Sequence, residues 1–409
     1  MKPGYKKTEI GVIPEDWEVG SLKQAFPRLD AGVSVNSDDS ESSDYYILKT
    51  SAVRNGNVNI KEAKPVIRSD YARLKCPVKK GSIIISRMNT PAMVGECGFS
   101  TIDAPNTFLP DRLWQIEPSS PDYDFQWLNY LLNTEKYSAA IRAAATGTSN
   151  SMKNIAKERL LEISIPKPPC PEQERIAEAL SDMDELISSL EKLIEKKKAI
   201  KQGAMQELLT GKRRLPGFNG EYQECTIEDI ADFCTASIPT SCIDILNYIG
   251  TDNMLANRGG VRDNTISIPY TAVREYREGD ILLSNIRPYL KKIWLADKAG
   301  GCSNDVFVIR VKEGRTVSAA FLFYLLSQDA FFDEVMANAI GTKMPRGDRN
   351  TIKKYQIRFS CDQNEQLKIV SILSAIDCEI KKLKESLEKV RQIKQGIMQH
   401  LLTGKIRLS

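Results

Sequence analysis

The chain has 409 residues, 27% of them charged and 42% hydrophobic, with a formal net charge of +4. Such a length suggests two to four domains with ample core, and so mild a positive charge neither requires nor excludes a nucleic-acid partner. No run of eighteen apolar residues occurs, the N-terminal MKPGYKKTEIGVIPEDW lacks a secretion signal's apolar stretch, and nine Cys without a C-x-x-C pair accompany a single His, His400. A membrane span and a zinc site are therefore not expected, and reduced thiols in the cytoplasm are.

In chain order, residues 1–165 read as a mixed region. Short apolar runs such as SIIIS (82–86) and LWQIE (113–117) predict strands bounded by Gly, Asn and Pro, and DFQWLNYLLNTEKYSAAIRAAA (124–145) predicts one helix. PKPPCP (166–171) is a rigid linker that hands over to a long helix, with Pro171 at a permitted first-turn position. Apolar residues then recur at spacings of three and four through Ile176, Met183, Leu186, Leu190, Leu193 and Ile200. That pattern predicts a coiled-coil seam, and Gly211 in LLTGK stops the helix. Residues 216–360 are again mixed, with ILLS (281–284) and VFVIRV (306–311) as strands and AAFLFYLLSQDAFFDEVMANAI (319–340) as the helix. Residues 361–409 form a second long helix, whose seam runs through Ile369, Ile376, Leu383 and Val390.

The order of elements repeats because the sequence does. KQGAMQELLTGKRRL (201–215) and KQGIMQHLLTGKIRL (394–408) agree at twelve of fifteen positions. At the same offset of 193, Glu172-Gln173 falls on Glu365-Gln366 and Asp184 on Asp377. Upstream, at an offset of 194, Tyr130-Leu131-Leu132 falls on Tyr324-Leu325-Leu326 and Gly147-Thr148 on Gly341-Thr342. The chain is a tandem duplication. The expected architecture is two α/β (mixed α+β) heads, each followed by a long helix, with the helices paired antiparallel about an internal pseudo-twofold axis. The domains would be 1–165, 166–215, 216–360 and 361–409. A helix of this kind, about 38 residues long, spans roughly 57 Å, enough to separate two reading heads by more than one DNA turn.

No chemistry stands out. The Pro-Pro at 168–169 is not flanked as in an Asn-Pro-Pro-aromatic methyltransferase motif, and both Thr-Gly-Lys triplets lack the upstream Gly of a phosphate loop. Polar loop clusters do recur at corresponding places. In the first half they are Lys49, Arg54-Asn55, Arg87 with Asn89, and Thr148-Ser149-Asn150 with Lys153. In the second they are Arg258 with Arg262, Asn285 with Arg287, and Thr342-Lys343 with Arg346. Arg and Asn suit base edges, whereas Lys, Ser and Thr suit phosphates. These loops differ between the copies while the helices agree, so two heads of this kind would read different sequences.

The sequence order is variable region, Pro166–Ile176 lead-in, heptad helix, LLTGKxRL exit, then the whole again. With IPEDW at 13–17 and the Gly-Thr pairs at 147 and 341, this closely resembles the specificity subunit of type I restriction–modification systems. The second lead-in, SCDQNEQ (360–366), departs from the pattern by lacking its prolines. The resemblance implies a non-catalytic DNA-reading subunit. Each head would recognise one half of a split, asymmetric site, and the helices would set the spacer and dock two methyltransferase subunits. Motor–nuclease restriction subunits would join them. No cofactor is expected on this chain; S-adenosylmethionine, Mg and ATP would belong to the partners. Two alternatives stay open: service to a system that cleaves on both sides of its site, or a coiled-coil protein with two protein-binding heads.

Overall fold

The computed structural model describes residues 4–40, 42–147, 152–265, 267–268 and 271–408. The β-branched run Ile83–Ser86 is buried throughout, as a central strand covered on both faces must be. It pairs antiparallel with Leu113–Ile116 on one side and Cys97–Phe99 on the other. Gly56–Val58 joins Cys97–Phe99 in parallel, within a six-stranded sheet. The helix Phe125–Leu132 packs Trp127, Leu128 and Leu131 into a core with Ile83, Ile85 and Phe26. The second half repeats this scheme. There Ile281–Ser284 is the buried strand between Val306–Val311 and Ile293–Leu295, and Ala319–Leu326 is the covering helix.

Each head has two short helices where one was expected. Phe125–Leu132 stops, and Glu135–Ala143 starts after Thr134 at ψ 154°. The Thr134 hydroxyl donates to the Leu131 carbonyl and the Asn133 amide to the Asn129 carbonyl, so side chains take over the helix-end acceptors. Ser327 donates to Phe323 in the same way between Ala319–Leu326 and Asp329–Ala337.

The two long helices, Cys170–Leu208 and Gln363–Leu401, have 39 residues each. The chain forms two compact units, Met1–Ser189 with Ser386–Ser409, and Leu190–Glu385, so the division falls within both helices. Each unit therefore contains a part of both, running antiparallel. In the first, Glu172 meets Arg407 and Asp184 meets Lys394. In the second, Lys201 meets Asp377 and Arg214 meets Glu365.

The buried stripe departs from the expected one in the first long helix. Ile176 is buried, and Met183 and Leu190 are half-buried, but Ile200 is 47% exposed, as are Leu186 at 48% and Leu193 at 39%. The stripe instead passes through Ile187, Ile194 and Lys201, each one residue beyond Leu186, Leu193 and Ile200, with half-buried Lys197 between the last two. A straight helix drifts by about 20° per heptad against a strict seven-residue repeat, and Lys201 turns inward to reach Asp377. In the second long helix Ile369 is buried, while Ile376, Leu383 and Val390 are half-buried. Among the described residues no helix is long and apolar enough to cross a membrane.

Candidate nucleic-acid interface

The repeated motifs build a clamp that holds each head to its helices. Glu172 and Gln173 are buried at the helix start, where an unpaired carboxylate would be costly. Glu172 accepts from the Arg407 guanidinium at 2.6 and 2.8 Å and from the Trp17 indole N–H at 2.9 Å. Asp16 takes the rest of Arg407, and these hydrogen bonds push the guanidinium pKa up and hold Asp16 below the usual carboxylate range. Gln173 accepts from the Asp124 amide and donates to the Asp122 and Pro168 carbonyls. In the second unit, Glu365 takes Arg214 at 2.7 and 2.8 Å, with the guanidinium stacked over Tyr222. Gln366 accepts from the Ser318 amide and donates to the Thr316 and Ser360 carbonyls.

A second contact repeats about three turns further along. Tyr130 donates to Asp184, which also takes Lys394; Tyr324 donates to Asp377, which also takes Lys201. Burial, reinforced by the carboxylate, pushes both phenols up. In the first unit this contact forms one wall of a cleft of about 530 Å³, lined also by Asn55, Asn57, Glu96 and Asn129.

Several of the candidate loops of the first unit converge at the end of its central strand. Met88–Asn89 pairs with Lys153–Ile155, setting Asn89 opposite Lys153, and the Ile155 amide donates to the Arg87 carbonyl at 2.8 Å. Arg87, Asn89 and Lys153 thus lie together. The Arg87 guanidinium sits over Trp114, and its buried Nε has no hydrogen-bond partner. Asn55, with φ of 50°, is tied through its amide to Glu96, and Arg54 beside it is exposed. Lys49 stands apart, exposed at the start of a short 3-10 turn alongside another sheet. Thr148, Ser149 and Asn150 lie outside the described residues.

In the second unit, Asn285 follows the central strand and its buried Oδ1 has no partner. Arg287 donates its amide to Pro345, and Ile286 bridges to Arg346, so the two candidate loops meet. Arg287, Thr342, Lys343 and Arg346 are exposed, although Arg346 reaches Asp305 at 3.3 Å. Arg262 is exposed and donates to the Asp252 carbonyl. Arg258 is engaged within the unit: its guanidinium binds Asp329 and the Ser327 carbonyl and covers Phe332. These contacts hold Asp329 below its ordinary pKa, with Lys291 as the largest cause and Arg258 next. Lys292 lies next to these loops and was not among the residues the sequence singled out. Its Nζ donates to the Thr251 carbonyl, and burial lowers its pKa, opposed by the Asp252 charge and helped by those of Arg262 and Arg287. Two adjacent lysines after Tyr289 were the available signal.

Residues 14–202 and 219–392 match the family described as the type I restriction modification DNA specificity domain. The chain belongs to this family. Relatives support the same reading along its whole length. The putative type I restriction enzyme MjaX specificity subunit of Methanocaldococcus jannaschii is 26% identical over 99% of this chain and 97% of its own. The MjaVIII specificity subunit of the same organism is 25% identical over 97% and 94%. The crystal structure of a type I restriction–modification S subunit from M. genitalium shares the fold, with a TM-score of 0.61 at 17% identity, covering 98% of this chain and 99% of that one. Type I specificity subunits are non-catalytic and recognise DNA within a restriction–modification complex. In this specificity subunit the repeated Glu-Gln and Thr-Gly-Lys-x-Arg-Leu motifs are helix-to-head clamps, and the polar loops lie elsewhere.

Proposed function

We propose that this specificity subunit reads a bipartite, asymmetric DNA site, one half through each of two recognition heads, residues 1–165 and 216–360. The observation that carries this reading is the contrast between the units. Their clamps repeat the same Glu–Arg and Tyr–Asp–Lys contacts, while their polar loops differ: exposed Arg54 with half-buried Arg87, Asn89 and Lys153 in one, and exposed Arg262, Arg287, Lys343 and Arg346 in the other. Repeated frames with different loops suit two different half-sites.

The long helices serve as the spacer between the halves and as docking surfaces for two methyltransferase subunits, which supply S-adenosylmethionine and transfer methyl groups to adenine. Exposed Leu193 and Ile200 in the second unit, and Leu186 in the first, suit such partners. Motor–nuclease restriction subunits, with Mg and ATP, complete the assembly in the cytoplasm. Co-expression with the methyltransferase chain and mapping of methylated adenines tests the reading. The expected result is one split motif with unlike halves; methylation at unsplit or palindromic sites would overturn it. Removing seven residues from one long helix should change the tolerated spacer.

A further inference from the structure

Among the described residues, six non-glycine residues have left-handed backbone, and four of them (Asn257, Arg258, Arg287 and Lys291) belong to two turns of the second unit. Hydrogen bonds lock these turns together: the Asn257 amide donates to the Leu290 carbonyl at 2.8 Å and the Arg258 amide to the Lys291 carbonyl at 2.9 Å. Arg258 and Lys291 also share one carboxylate, Asp329, at the start of the helix behind them. The Arg287 amide is held by Pro345, and the ring of Pro288 is buried. Such backbone persists only where the surroundings over-determine it, and it marks positions shaped for contact.

What all this anchoring holds outward is Tyr289. It lies in the 3-10 turn Pro288–Leu290, bracketed by left-handed Arg287 and Lys291, and its side chain is among the exposed large hydrophobics at 51%. Cations lie close by in the fold: exposed Arg287 stands two residues before it in the same turn, and Lys292, three residues after it, feels the charges of Asp252, Arg262 and Arg287. An aromatic ring held rigidly outward beside an exposed arginine can press on base edges or wedge at a base step of a duplex while the cation takes an adjoining phosphate.

We propose that Tyr289 is a specificity-determining residue whose ring contacts the bases of the half-site read by the second unit, with exposed Arg287 and Arg262 on the flanking phosphates. The proposal rests on the DNA-reading function above and adds to it a residue, a contact type and a half-site. The left-handed brackets pre-organise the turn, so little ordering remains for binding.

The test uses the subunit assembled with its methyltransferase partners, in wild-type, Tyr289→Ala and Tyr289→Phe forms. Binding is measured against target DNA, unrelated DNA, and targets with each half altered in turn, over a range of salt. Tyr289→Ala should weaken target binding by roughly tenfold or more, the scale of one lost base contact. Its salt slope and its binding to unrelated DNA should stay unchanged, because the phosphate contacts remain. It should also lose discrimination against changes in one half only, while Tyr289→Phe keeps most of both. An alanine variant that binds and discriminates like wild type overturns the proposal but leaves DNA reading intact. So does an equal loss on target and unrelated DNA. A wild-type complex without salt-dependent DNA binding would instead overturn the underlying function. Matching thermal unfolding of the three forms excludes misfolding, as expected for an exposed side chain.

Discussion

Arg407 and Glu172 stand 235 positions apart in the chain and form a bidentate ion pair, in which the carboxylate also accepts the indole N–H of the fully buried Trp17. Segments from the two ends of the sequence therefore close on one buried carboxylate from its middle. Removing a single partner leaves a desolvated charge or a donor without an acceptor. Arg407→Ala is expected to destabilise the first unit by about 2–4 kcal/mol, because it leaves the buried Glu172 carboxylate without a counter-charge, and Glu172→Ala by somewhat less, because the one-third-exposed guanidinium keeps Asp16. A double-mutant cycle in denaturant should return a coupling of about 1–3 kcal/mol. A coupling near zero would show that the clamp is ornamental.

The two helix stops should respond differently from the glycines within the helices. Gly211 and Gly404 have φ of 70° and 69°. A Cβ would come within 2.5 Å of Tyr222 at the first and of Pro14 at the second. Alanine at either position should cost upwards of about 1 kcal/mol. Gly203 and Gly396 lie inside the helices with nothing within 4 Å of a Cβ, so alanine there should stabilise by about 0.5–1 kcal/mol. Thermal unfolding of the four variants checks the opposite signs.

Asp329 gives a pH dependence of defined direction. Lys291 and Arg258 hold its folded pKa below the ordinary 3.8. A depressed carboxylate stabilises fully above its unfolded pKa and loses that contribution as pH falls through the folded value. Wild type should therefore exceed Asp329→Asn in stability by a constant margin above about pH 5, and the margin should shrink in acid below 3.8. Denaturant midpoints along a pH series test this; a margin that widens in acid would contradict it.

Arg87 and Arg287 should separate the two heads. Arg87→Ala or Arg287→Ala is expected to weaken binding by about 1–3 kcal/mol, each with relaxed discrimination in only one half of the target. Competition binding with half-altered DNA measures this. Arg258→Ala makes a contrast: its guanidinium is occupied by Asp329 and Ser327, so its main effect should be on stability of the second unit. If neither Arg87→Ala nor Arg287→Ala changes binding, these loops leave the reading face.

Much of the molecule could be read before folding, because duplication makes a pattern visible. The twice-written KQGxMQxLLTGKxRL and the isoleucine and leucine runs of the central strands announce two heads and two long helices. Local chemistry suffices there: buried strands are apolar throughout, and a helix that must stop needs a left-handed glycine. The break at Thr134 was less legible, since helix propensity continues across it and only the side-chain hydrogen bonds interrupt it. Nor could spacing decide that Ile200 faces solvent while Lys201 turns inward, because a lysine becomes an inward residue only once a carboxylate such as Asp377 is brought opposite it.

The sequence by itself determined the repeat, the kinds of element and the family, all of which rest on short-range patterns of burial and backbone preference. Tertiary structure alone decided which repeated motif clamps which. The Glu-Gln of one long helix meets the Arg-Leu of the other, so each unit is built from parts of both halves of the chain. It also decided that Arg258 braces a turn whose Tyr289 is left exposed. Both outcomes depend on groups distant in sequence arriving within hydrogen-bond reach, and residue order alone carries no record of such meetings.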